Sequence, residues 1–197
     1  MTGRISTTAA LALLLGAAAA PALAHGGEGF GGGFLSGLTH PIFGWDHVAA
    51  MVAVGLWGAF LGRPAIWILP VVFPLVMALG AAAGVVGVPL PLVETGIAAS
   101  AVVLGLLVAM AVRPPLWIAA LVVGVFAVFH GHAHGTELPE AASPFGYALG
   151  FVISTGLLHL AGIALGLLVS LPRGEILVRG GGGLISLAGL GFLSGTL

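Results

Sequence analysis

Two short segments hold most of the residues able to do chemistry in this chain: His40-Pro41-Ile42-Phe43-Gly44-Trp45-Asp46-His47 and Phe129-His130-Gly131-His132-Ala133-His134-Gly135-Thr136-Glu137. Imidazole and carboxylate are ligands for borderline divalent ions such as nickel, cobalt and zinc, whereas soft monovalent copper calls for thiolate or clustered thioether. The chain has no cysteine and no lysine, which removes disulfides, thiolate sites and Schiff-base chemistry together. In the first segment Pro41 suits the first position of a helix, with His40 at the cap and Asp46-His47 about one and a half turns inside. His40 and His47 then lie about 10.5 Å of helix rise apart. A shared ion needs a distortion at the His-Pro step or ligands from a second helix. Asp46 either ligates directly or holds an imidazole from behind, and Met51, one turn beyond His47, is a weak thioether ligand or core filler.

In the second segment His130 and His134 stand four apart, where helical side chains are neighbours and one ion can bridge them. His132 points elsewhere on the same helix, and it completes the candidate ligand set. Glu137 adds a carboxylate near the face of His130 and His134. His159, between Leu158 and Leu160, is an imidazole at membrane depth. It either bonds a neighbouring helix or takes an ion passed inward. His25 becomes a chelating amino terminus if a leader is removed after Ala24.

The elements that must carry these residues are set by composition. The chain of 197 residues is 59% hydrophobic and 6% charged, with a mean hydropathy of +1.23, whereas a soluble domain carries roughly a quarter charged residues. Arg4, the apolar run Ala9 to Ala20 and the small residues around Ala22 and Ala24 read as a signal peptide over residues 1–24. Residues 25–197 then form a polytopic transmembrane domain. Apolar stretches run at about Pro41 to Leu61, Ala65 to Val88, Val93 to Val112, Leu116 to His130, Phe145 to Leu171 and Gly181 to Leu197. Each must be helical, because a span has to satisfy its own backbone in lipid. The expected fold is an all-α membrane protein, a bundle of about six transmembrane helices after the cleaved signal peptide.

Orientation follows from the arginines, since cytoplasmic loops keep positive charge. With the mature amino terminus outside, Arg63, Arg113, Arg173 and Arg179 all fall on the inner side, and Glu94, Glu137 and Glu140 fall outside. Both mature termini are then periplasmic. His25, His40, His47, His130, His132 and His134 gather at the outer face. The 34 glycines suit close helix packing, with four-residue pairs at Gly80/Gly84, Gly146/Gly150, Gly162/Gly166 and Gly191/Gly195. Pro70 and Pro74 kink the second span or are simply tolerated there.

The pattern His40-x5-Asp46-His47, together with Phe129-His130-Gly131-His132-Ala133-His134-Gly135-Thr136-Glu137, resembles the HupE/UreJ family of nickel permeases over essentially the whole precursor. The resemblance implies secondary uptake of Ni2+, with Co2+ as the alternative ion, across the bacterial inner membrane. It also implies that these His, Asp and Glu residues serve transport and that the ion supplies hydrogenase or urease maturation. The expected partners are thus a divalent ion, the lipid bilayer and, indirectly, a nickel-enzyme maturation system, with no nucleic acid and no organic cofactor. Two rivals stay open. One is a membrane-bound metal sensor or delivery factor. The other is an intramembrane metalloenzyme, against which no H-E-x-x-H helix or repeated Glu-x-x-His pair appears. The expectation is therefore a protein that is not an enzyme. No GxxxxGK[ST] phosphate loop is present, so uptake by this chain fits facilitated diffusion or proton coupling.

Overall fold

The computed structural model describes residues 30–136, 138 and 143–197. Residues 1–24, His25 and Glu137 lie outside them, so the expectations for a signal peptide, a chelating terminus and that carboxylate concern residues beyond this description. Among the described residues seven α-helices follow in order: α1 (Phe30–Phe43), α2 (Trp45–Leu61), α3 (Ala65–Val85), α4 (Val93–Ala109), α5 (Leu116–Thr136), α6 (Pro144–Gly166) and α7 (Gly174–Ser194). α6 runs on into a 3-10 turn, Leu167–Ser170. Among the described residues there is no strand. The protein is a multi-pass all-α membrane protein. Among the described residues four helices are long and apolar enough to cross a membrane, or five if the bent pair α1 and α2 counts as one span, and α4 is a shorter apolar helix of 17 residues.

Helix α2 is the centre of the bundle. Its side chains from Ala50 to Phe60 are buried except Val52, because α3, α4, α6 and α7 all pack against it. Leu75, Leu79, Leu184 and Leu187 are by contrast exposed on the outside, where apolar side chains meet lipid rather than water.

The other large interfaces pair α3 with α5, α1 with α6 and α4 with α7. Glycine sets these contacts. A Cβ at Gly131 or Gly135 of α5 would strike the Met77 or Ala81 backbone oxygen of α3, and one at Gly80 or Gly84 would strike the Val128 or His132 oxygen of α5. The two backbones therefore approach as only small residues permit. Gly55 and Gly162 do the same between α2 and α6, and Gly37 and Gly150 between α1 and α6. The expected pair Gly191/Gly195 is different. Gly191 faces Leu197 of its own chain end, and Gly195 takes a left-handed conformation as the C-cap of α7.

Three boundaries differ from the sequence reading, and each difference has a packing cause. The segment before the first expected span is itself a helix, α1, despite its glycines, since Gly33 and Gly37 seat against the backbone of Ser143 and Tyr147. Tertiary contact outweighs weak local propensity there. Pro41 is consequently inside α1 and His40 in its last turn, not at a helix start. α5 continues past His130 to Thr136, so His130, His132 and His134 are all on one helix. α7 begins at Gly174 and carries the run Gly180 to Gly183 within it, where Gly182 packs on Gly105 and Val108 of α4.

Candidate metal centre

The site forms where a broken helix meets a continuous one. α1 and α2 meet at Gly44, whose backbone is extended (φ −84°, ψ 101°), and the two helix axes differ by 78°. The chain between His40 and His47 is thus bent at Gly44 and not at the His40-Pro41 step where the spacing led a distortion to be expected, since Pro41 lies inside α1. The bend turns the last turn of α1 and the first turn of α2 toward one point, with His40 and His47 ring centroids 5.9 Å apart. α5 brings His134 to the same point, 4.9 Å from His40 and 4.7 Å from His47 between ring centroids. Each of His40, His47 and His134 offers a ring nitrogen, and these ligand atoms lie within 4.8 Å of one another. His47 and His134 are buried, and His40 is half-buried.

Hydrogen bonding orients the trio. Asp46 Oδ1 lies 2.7 Å from His47 Nδ1 and also accepts the His47 backbone N–H at 2.8 Å. A carboxylate at Nδ1 holds the proton on that nitrogen and leaves the Nε2 lone pair free for an ion. That Nε2 points at His134 Nε2, 2.7 Å away. Nitrogens sharing one first-row ion at bond lengths of about 2.1 Å stand roughly 3 Å apart. Only a slight opening is needed for a cation to replace the proton between them. Asp46 also sits in the first turn of α2, where a carboxylate complements the helix dipole.

The remaining histidines have separate surroundings. His130, one turn below His134 on α5, donates from Nδ1 to the Phe126 carbonyl at 3.0 Å, and its buried Nε2 has no partner. Its ring stacks edge-on to His47 at 5.2 Å between centroids, close to the trio but not part of it. His132 is turned to the opposite side of α5 and donates from Nε2 to the Val88 carbonyl at 2.6 Å. It straps the segment after α3 onto α5. His159 lies away from the trio, fully buried in α6 against Phe73. Met51 is fully buried in the apolar core cluster.

The family pattern for HupE / UreJ protein matches residues 11–192. Protein HupE from Rhizobium leguminosarum bv. viciae is 47% identical over 182 residues, which cover 92% of this chain and 95% of that protein. This chain belongs to the HupE/UreJ family. No solved structure matches it.

In this HupE/UreJ chain several residues around the trio escaped the sequence reading. Phe151 of α6 packs on His134 with centroids 4.3 Å apart, and both Tyr147 and Phe151 flank His40 at 6.2 Å. Nothing in an apolar span marks one aromatic residue as a wall of a polar site. Glu94, read only as a loop acid, stands in the first turn of α4. It shares with Trp45 and Asp46 a surface cleft of about 340 Å3. Arg113 and Arg179 lie at the other end of the bundle. Arg113 covers the Phe60 ring near the end of α2, and Arg179 donates to the Ala109 carbonyl at the end of α4.

Proposed function

We propose that this protein is a secondary permease that takes up divalent nickel, with cobalt as the alternative ion, from the periplasm across the bacterial inner membrane. The observation that carries the reading is the convergence of His40, His47 and His134 from three helices, all within 4.8 Å of one another. Membership of the HupE/UreJ family supports it. In this reading the trio captures the ion from the cleft lined by Asp46 and Glu94. Asp46 orients His47, and His130 offers its unpartnered Nε2 one turn deeper. Glu137 and, after cleavage of residues 1–24, His25 act as outlying ligands. His132 serves the site by holding α5 in place through Val88.

The donor set is nitrogen and oxygen without sulfur, which suits nickel, cobalt and zinc better than monovalent copper. The imported ion would supply the maturation of a hydrogenase or urease. Sidedness follows from the opposite placement of trio and arginines along α2, since positive charge stays in the cytoplasm. Both mature termini are then periplasmic, and a topology reporter fused after Leu197 reads as periplasmic.

Purified protein in liposomes tests the reading with radiolabelled Ni2+. Accumulation inside the vesicles that is lost in His47→Ala supports the permease. Saturable binding without internal ion assigns the protein to sensing or delivery instead.

A further inference from the structure

Helix α6 carries a second set of buried polar atoms that the outer trio does not use. His159 is 1% exposed and neither of its ring nitrogens has a hydrogen-bond partner. One turn earlier Thr155 is fully buried, with its hydroxyl unpartnered. Residues four apart on a helix are neighbours on one face. Leaving such groups unsatisfied in a membrane interior is costly, so a chain that retains them has a use for them.

A third donor comes from α3. Pro74 has no N–H to give to the carbonyl four residues before it, so the Pro70 carbonyl lacks its normal helical donor. Pro70 and His159 line the same cleft of about 320 Å3 between α3 and α6. The carbonyl faces the His159 ring without reaching hydrogen-bond geometry. Imidazole nitrogen, backbone carbonyl and hydroxyl are neutral ligands for a divalent cation.

The Phe73 ring stands between this set and the outer histidines. Its centroid is 5.3 Å from that of His130 and 5.4 Å from that of His159. Phe151 touches His134, and His159 lies eight residues further along α6, about 12 Å deeper. We infer that His159, the Pro70 carbonyl and Thr155 form an inner way-station for the divalent cation, separated from the outer trio by the Phe73 ring. The inference rests on the permease reading and extends it inward. The proline at position 74 has a defined task here, to keep the Pro70 oxygen free. The way-station is electrically neutral, so it holds a divalent ion more weakly than a site with a carboxylate behind it. Weak holding suits a step that must release its ion.

The test uses the full-length protein with Ni2+ alone, measuring equilibrium binding in detergent and uptake into liposomes. His159→Ala is expected to keep wild-type binding at the outer trio while uptake falls by about tenfold or more. Pro74→Ala restores an N–H beneath the Pro70 carbonyl in a better helix, and uptake drops several-fold with binding unchanged. Wild-type uptake in both His159→Ala and Pro74→Ala overturns the way-station, and so does loss of binding together with uptake in His159→Ala, which marks a packing residue. Wild-type protein that binds but never accumulates Ni2+ defeats the permease reading, and the inner step falls with it.

Discussion

The outer trio and the His159 region use the same side chain in opposite surroundings. At the outer site three imidazoles from α1, α2 and α5 face one another, and Asp46 stands 2.7 Å behind His47. At the inner site one imidazole faces Phe73 and a carbonyl, and no acid is within hydrogen-bond reach. On the proposed reading, converging nitrogens with a carboxylate behind them capture the ion, and a neutral set of groups in apolar packing passes it on.

The largest effect expected from breaking this comparison is at the trio. His134→Ala or His47→Ala should reduce Ni2+ uptake to the level of empty liposomes, with normal membrane insertion checked by fractionation. Wild-type uptake in both variants would remove the site. Asp46→Asn sharpens the contrast by making the outer site neutral like the inner one. Apparent Ni2+ affinity should weaken by about tenfold to a hundredfold, as for other groups that orient a metal-binding histidine, and calorimetric titration reads it.

A smaller effect comes from the contact that seats His134. Gly135→Val places a side chain against the Ala81 backbone, and overpacking of this kind costs about 1–3 kcal/mol. A lowered thermal midpoint in detergent, with Ni2+ affinity falling alongside, is the expected result. Unchanged stability would mean that α3 and α5 do not pack as described. The smallest effect belongs to His132, two residues from His134 but on the other side of α5. His132→Ala loses the bond to Val88, worth about 1 kcal/mol, and should bind Ni2+ with wild-type affinity. Loss of binding in this variant would place His132 among the ligands.

Much of the candidate site was legible because helical spacing is a local property. The four-residue step from His130 to His134 and the adjacency of Asp46 to His47 both survive in the structure. The approach of His40 to His47 was not legible. It depends on the extended backbone at Gly44 and on α1, whose helix forms because Gly33, Gly37 and Gly150 let it press against α6. A glycine-rich segment has weak helical propensity by itself, so the reading placed the helix start at Pro41. The start of α7 was misplaced for the same reason, as its glycines are seats for α4 rather than breaks.

By itself, then, the sequence determined the membrane class, the residue types able to hold a borderline cation and the separation of arginines from most histidines. These depend on composition and on distances along the chain. Tertiary structure decided which histidines meet. It put His40, His47 and His134 together, turned His132 toward Val88 and set His159 behind Phe73. The physical reason is that the direction of each imidazole is fixed by how closely two backbones approach, and in this protein glycines on facing helices set that distance.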